Sequence, residues 1–182
     1  MDHPPTLLLL TGPPGTGKST LADLAAEALH APVLGWDWAM AALTEFDGVQ
    51  DALREMSHVD HRRVGWSILW NLATAQLRRG SSVVLDGVAR DIEVAGTRGV
   101  GRSAGASVVV VVTSCRDVTL HRERLVGRAR EIPGWHELEW DHVGQLLGRW
   151  EPPADGELYL DATDPLPENA ARLRERLAPP LA

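Results

Sequence analysis

The chain has 182 residues and a net charge of −7, with 44% apolar and 24% charged residues. That is the make-up of a single globular domain spanning residues 1–182 with enough chain for a proper core, and the negative balance excludes a global basic field for holding nucleic acid. One cysteine, Cys115, excludes an internal disulfide; with no leader pattern and no apolar run of membrane-spanning length, the chain is expected to be cytoplasmic.

The first predicted element is a buried strand at Thr6-Leu7-Leu8-Leu9-Leu10. It runs into Gly12-Pro13-Pro14-Gly15-Thr16-Gly17-Lys18-Ser19, which matches G-x-x-x-x-G-K-[ST] at every fixed position. Lys18 is the only lysine in the chain, against seventeen arginines, and it stands in the one slot where the motif requires lysine. Glycines let the backbone curl so that successive N–H groups converge on phosphate oxygens. Lys18 can reach the β- and γ-phosphates as a point charge, and the Ser19 hydroxyl is the candidate ligand for Mg²⁺. Leu21, Leu24, Ala25, Ala28 and Leu29 then repeat at helical spacing, so the loop opens a helix whose N-terminus favours an anion. Gly12 to Ser19 together with Thr20 form the expected nucleotide cradle, with ATP and Mg²⁺ as cofactors.

A second strand is expected at Val33-Leu34-Gly35-Trp36, followed by Asp37 and Trp38. Asp37 is the candidate general base, able to accept a proton from an attacking hydroxyl; it could equally cap a helix starting near Trp38. A helix is expected from His58 to Arg79 on the stripe Val59, Trp66, Leu69, Trp70, Ala73 and Leu77. The third strand, Ser82 to Asp86, ends in Asp86-Gly87. An acidic residue closing an apolar strand in a P-loop protein is the second candidate Mg²⁺ ligand. ATPases of the AAA+ type carry Glu where this chain has Gly87, which argues against a motor.

A weaker helix follows at Asp91–Ser103, then the strand Val108–Val112, five valines that read as covered on both faces. The charged helix Asp117–Arg130 places Arg124 and Arg128 four residues apart on one face. Two such guanidiniums suit a nucleotide, one stacking on a base and one meeting phosphate; the same pattern also describes a solvated face. Helices at Glu139–Trp150 and Pro167–Leu177 flank a last strand, Glu157–Leu160. Strands alternating with helices predict a parallel sheet covered on both sides, with ligands at the strands' carboxyl ends.

Gly12 to Ser19, Asp37, Asp86-Gly87 and Arg124-Leu125-Val126-Gly127-Arg128 together resemble the P-loop kinases of small molecules, among them gluconate, shikimate, adenylate and polynucleotide kinases and chloramphenicol phosphotransferase. The resemblance implies a three-layer α/β/α fold of the P-loop NTPase type. It also implies a five-stranded sheet in the order 2-3-1-4-5 and a helical lid over residues 117–150. By the same likeness Arg124 would stack on adenine, Arg128 would meet the phosphates and act in catalysis, and Lys18 and Asp37 would complete the catalytic set.

The implied reaction moves the γ-phosphate of ATP to a hydroxyl of a small molecule, a nucleoside, sugar or antibiotic. Trp36, Asp37, Trp38 and Arg90 are the candidate substrate residues; Trp66 and Trp70, at i and i+4, suit a core better. Arg62, Arg63 and Arg98 join Arg90 as possible anion ligands or surface residues. A polynucleotide or nucleotide kinase, or a partner-dependent P-loop ATPase, are the alternatives. Neither nucleic acid nor membrane is an expected partner, and the sequence leaves the oligomeric state open.

Overall fold

Leu7, Leu8, Leu9 and Leu10 are all fully buried, and alternate members of the run serve different cores. They belong to β1 (Thr6–Thr11), the central strand of a five-stranded parallel sheet in a computed structural model that describes residues 4–126, 130–135 and 137–178. Side chains alternate across a strand. Leu7 and Leu9 therefore pack with Trp66, Leu69, Ala73 and Leu77 on one side. Leu8 and Leu10 pack with Leu21, Ala22, Ala25 and Leu173 on the other. The homogeneous leucine and valine runs are the sequence of a sheet buried on both faces.

The other strands are β2 (Val33–Gly35), β3 (Val83–Asp86), β4 (Ser107–Ser114) and β5 (Leu158–Asp161), in the spatial order β2-β3-β1-β4-β5. This is the expected 2-3-1-4-5 arrangement of a P-loop α/β fold. Helix α1 (Lys18–Leu29) leaves the P-loop, and α8 (Leu166–Leu177) packs beside it. Helices α4 (His58–Leu77) and α5 (Asp91–Ala104) pack together over the opposite face.

Two local expectations are corrected. Strand β2 stops at Gly35, and Trp36 instead opens α2 (Trp36–Leu43), so Asp37 lies inside a first helical turn capped by the Gly35 backbone. Helix α3 (Asp47–Glu55) was not expected; it buries only Leu53 and so leaves no apolar stripe to read. Beyond β4, α6 (Val118–Val126) and α7 (Trp140–Leu147) flank a turn at Pro133-Gly134. Among the described residues no helix is long and apolar enough to cross a membrane.

Candidate active site

The register of the sheet sets three chemical groups along one edge. Leu10 of β1 pairs with Asp86 of β3, and Asp86 pairs with Gly35 of β2. The P-loop after β1, the carboxylate ending β3 and Asp37 just past β2 therefore emerge side by side at the strands' carboxyl ends, where open parallel sheets bind ligands.

The P-loop is shaped by close approach. A Cβ on Gly12 would stand 2.2 Å from the Thr113 carbonyl oxygen, so only glycine lets the loop pass β4. Gly17 adopts φ 80° and ψ 10° and caps α1 with no side chain over the helix end, leaving N–H groups of the first turn for an anion. Thr16 Oγ1 donates to the Pro13 carbonyl at 2.7 Å and touches Thr113 Oγ1 at 2.6 Å, tying the loop to β4. Lys18 is buried, its Nζ donating to the Pro13 carbonyl at 2.9 Å.

His121 was missed at the sequence level. It is buried beneath the loop, and its Nε2–H donates to the Pro14 carbonyl at 2.6 Å while Trp140 meets its ring edge-on. The bond fixes the Nε2–H form, because a carbonyl oxygen only accepts. A histidine inside a run of arginines and glutamates carries no sequence signal of such a contact.

Ser19 Oγ donates to Asp86 Oδ2 at 2.9 Å. Two hard oxygens from the first turn of α1 and the end of β3 are the donor chemistry of Mg²⁺, which takes few protein ligands and completes its shell with phosphate oxygens and water. The residues fit the ion, although among the described residues no group of three or more His, Cys, Asp or Glu converges. Gly87 follows, and a Cβ there would meet Trp36 Cβ at 3.0 Å and Trp66 Cζ2 at 3.1 Å.

Beside the P-loop, Gly15, Gly17, Ser19, Thr20, Arg124 and Leu166 line an open cleft of about 330 Å³. Arg124 Nη1 donates to the Ala162 carbonyl at 2.7 Å, which places the guanidinium beside the β5–α8 loop. That loop is braced by Asp161, whose carboxylate accepts from the Thr163 N–H at 2.8 Å and the Thr163 hydroxyl at 2.6 Å. Burial pushes the Asp161 carboxyl up, but hydrogen bonds from Thr163, Arg116 and Ser114 outweigh it and hold the group below the usual aspartate range. Arg128, the second arginine of the proposed lid pair, lies outside the described residues.

On the other side, Asp37 is 37% exposed and is bonded to Nη1 of Arg130. Trp36 meets Trp135 edge-on at 6.1 Å and His61 at 5.7 Å, and its Nε1 donates to the Arg62 carbonyl at 3.4 Å. Burial, aided by the charge of His58, lowers the pKa of His61. Trp38 is 56% exposed and its ring lies against Gly35. Trp66 is a core residue with Trp70 beside it.

Three of the four arginines suggested as anion ligands have acidic partners. Arg62 pairs with buried Glu93 at 2.5 Å, Arg63 with Asp60 at 3.7 Å, and Arg98 with Asp155 at 2.8 Å and Glu157 at 2.7 Å. Arg90 stands at the N-cap of α5 with an exposed side chain. Arg130 and Trp135, which the sequence did not single out, are the residues brought to Asp37 and Trp36.

No curated protein matches the chain in sequence. Among solved structures, a gluconokinase from Sinorhizobium meliloti 1021 shares 20% identity and a TM-score of 0.66 over 97% of this chain and 95% of that one. A sugar kinase from Janibacter sp. HTCC2649 shares 19% identity and a TM-score of 0.63 over 96% and 92%. The Mycobacterium tuberculosis APS kinase CysC in complex with AMPPNP and APS shares 21% identity and a TM-score of 0.63 over 96% and 99%. The fold is thus one that P-loop kinases use. The model of the AAA domain family AAA_33 matches residues 7–153, most of the chain, and the chain belongs to that family.

Proposed function

We propose that this protein is an ATP-dependent phosphotransferase that moves the γ-phosphate to a hydroxyl of a small molecule of nucleoside, sugar or antibiotic type. The observation that carries the reading is the shared strand edge: the P-loop, Asp86 and Asp37 follow the adjacent strands β1, β3 and β2. A γ-phosphate on the P-loop and a carboxylate base two residues past β2 are the two parts that in-line transfer to a hydroxyl requires. The likeness to gluconokinase, sugar kinase and APS kinase structures supports it. The AMPPNP in the last of these favours ATP as donor. The whole chain would act as one kinase domain in the cytoplasm, with residues 117–150 as its lid.

In the proposed step the acceptor oxygen forms a bond to Pγ, and the bond from Pγ to the bridging oxygen breaks, its electron pair leaving on ADP. The acceptor proton passes to Asp37. The Lys18 ammonium and the open N-terminus of α1 hold the phosphate oxygens, and Arg128 stabilises the transferring group. Ser19 and Asp86 would hold Mg²⁺, which neutralises phosphate charge when bound.

Incubating the protein with Mg²⁺-ATP and a panel of nucleosides, sugars and hydroxyl-bearing antibiotics tests this directly. A product heavier by one phosphoryl group, made by wild type and lost in Lys18→Ala, supports the reading. Slow ATP loss without product, equal in both proteins, removes it.

A further inference from the structure

Pro13 and Pro14 carry no N–H, so Gly15 supplies the first amide hydrogen of the phosphate loop after Gly12. Two of the donors that such a loop turns toward an anion are thereby missing, and the aim of the Gly15 N–H counts for more. Pro14 and Gly15 are the central pair of a turn, and Gly15 has φ 84°. Proline followed by a residue at positive φ is the type II pattern. Flipping the peptide between the two converts it to type I, and glycine permits either hand. The Pro14–Gly15 peptide is therefore a unit that local sterics alone do not hold.

His121 holds it. Its Nε2–H donates to the Pro14 carbonyl at 2.6 Å, and its ring lies against Gly15, where a Cβ would come within 3.0 Å of His121 Cδ2. The peptide is trans, so its C=O and N–H point opposite ways. Fixing the Pro14 oxygen on His121 turns the Gly15 N–H away from α6 and into the loop. The donor is itself anchored. Asp117 opens α6: its carboxylate accepts from the N–H groups of Thr119 at 2.9 Å and Leu120 at 3.0 Å, and its carbonyl accepts from the His121 N–H at 2.9 Å. Trp140 of α7 meets the imidazole edge-on at 5.5 Å, and the side chain is buried, so water does not compete for the bond.

We propose that His121 is a positioning residue for the nucleotide: by fixing the Pro14–Gly15 peptide it keeps the Gly15 N–H aimed at the phosphates. This rests on the reading above in one respect, that the P-loop holds nucleotide phosphate, and it is independent of the acceptor. The cost of turning the peptide is met on folding, so it is not subtracted from phosphate binding. The helix that follows β4 thus shapes the loop that follows β1, through a side chain that never touches the ligand.

The test separates the bond from the ring. His121→Gln keeps an N–H donor at the reach of Nε2 and loses the ring; His121→Phe keeps a ring for Trp140 to meet and loses the donor. Binding of Mg²⁺-AMPPNP to wild type and both variants is measured by calorimetry, with folding checked by circular dichroism. His121→Phe should bind about 10- to 100-fold more weakly, the size of one hydrogen bond to a charged group, and His121→Gln should stay within about threefold of wild type. A packing role predicts the reverse order, with Phe close to wild type and Gln weakened. That order, equal affinity in all three proteins, or equal loss in both variants overturns the proposal. Should His121→Phe not fold, His121→Asn takes its place, since it carries the same amide one carbon short of the Pro14 oxygen; Asn binding as tightly as Gln then overturns the proposal. In turnover the loss should appear in the ATP KM, with the acceptor KM within about twofold of wild type. No binding of Mg²⁺-AMPPNP by wild type overturns the nucleotide reading and this inference with it. Binding in the expected order with no phosphorylated product from any acceptor removes the kinase reading alone.

Discussion

Ser19 Oγ donates a 2.9 Å hydrogen bond to Asp86 Oδ2, joining the first turn of α1 to the end of β3. If the pair holds Mg²⁺, Asp86→Asn should raise the Mg²⁺ concentration for half-maximal rate by about tenfold or more. Ser19→Ala should shift it in the same direction and by less, since a neutral hydroxyl is the weaker ligand. Rates measured across a Mg²⁺ titration at saturating ATP check this, and an unchanged midpoint in both variants removes the assignment.

In the proposed reaction Asp37 takes the proton of the acceptor. Asp37→Asn keeps the shape and removes the basicity, so kcat should fall by about 10²- to 10⁴-fold. ATP affinity should change less than about twofold. Full turnover in the variant would show that another group, or none, serves as base.

Gly65 lies under Trp36. A Cβ there would come within 2.2 Å of Trp36 Nε1 and 2.6 Å of Cε2. Gly65→Ala should therefore displace the indole and cost about 1–3 kcal/mol of stability by overpacking. The acceptor KM should rise while the ATP KM stays put. A rise in the ATP KM alone would place Trp36 outside the acceptor site.

Asp161 braces the β5–α8 loop through Thr163, and its carboxyl is held below the usual range. A depressed folded-state pKa contributes stability above the unfolded value, about 3.9, and that stability is lost as pH falls through the folded value. Asp161→Asn should cost about 1 kcal/mol near neutral pH. The gap between wild type and variant should hold constant above about pH 5 and close below about pH 4. Chemical denaturation at a series of pH values reads it, and a gap independent of pH down to acid unfolding contradicts it.

The parts of the fold that were legible are those where one physical demand dominates. Leu7 to Leu10 and Val109 to Val112 are buried on alternate faces, which leaves no polar position to confuse the pattern. The P-loop was legible because phosphate binding dictates residue types at fixed spacing. The position of Asp86 at the end of β3 followed from the apolar run before it. Helix α3 was illegible because a single buried leucine makes no periodicity. Arg130, His121 and Trp135 were hidden for another reason. Each meets a partner at least 93 residues away, Asp37 for Arg130, Pro14 for His121 and Trp36 for Trp135, and such pairings depend on chain reversal that local pattern does not encode. Arg62 and Arg98 looked available but pair with acids from other elements.

Gly87 sits where a water-activating ATPase would carry a carboxylate, in a slot that Trp36 and Trp66 close to within 3.0 and 3.1 Å of any added carbon. An acidic residue there would have to push aside the tryptophan that walls the Asp37 side. Any side chain at residue 87 therefore needs Trp36 and Trp66 to give by a few tenths of an ångström, so the size of that slot is set by the two indoles and not by the backbone.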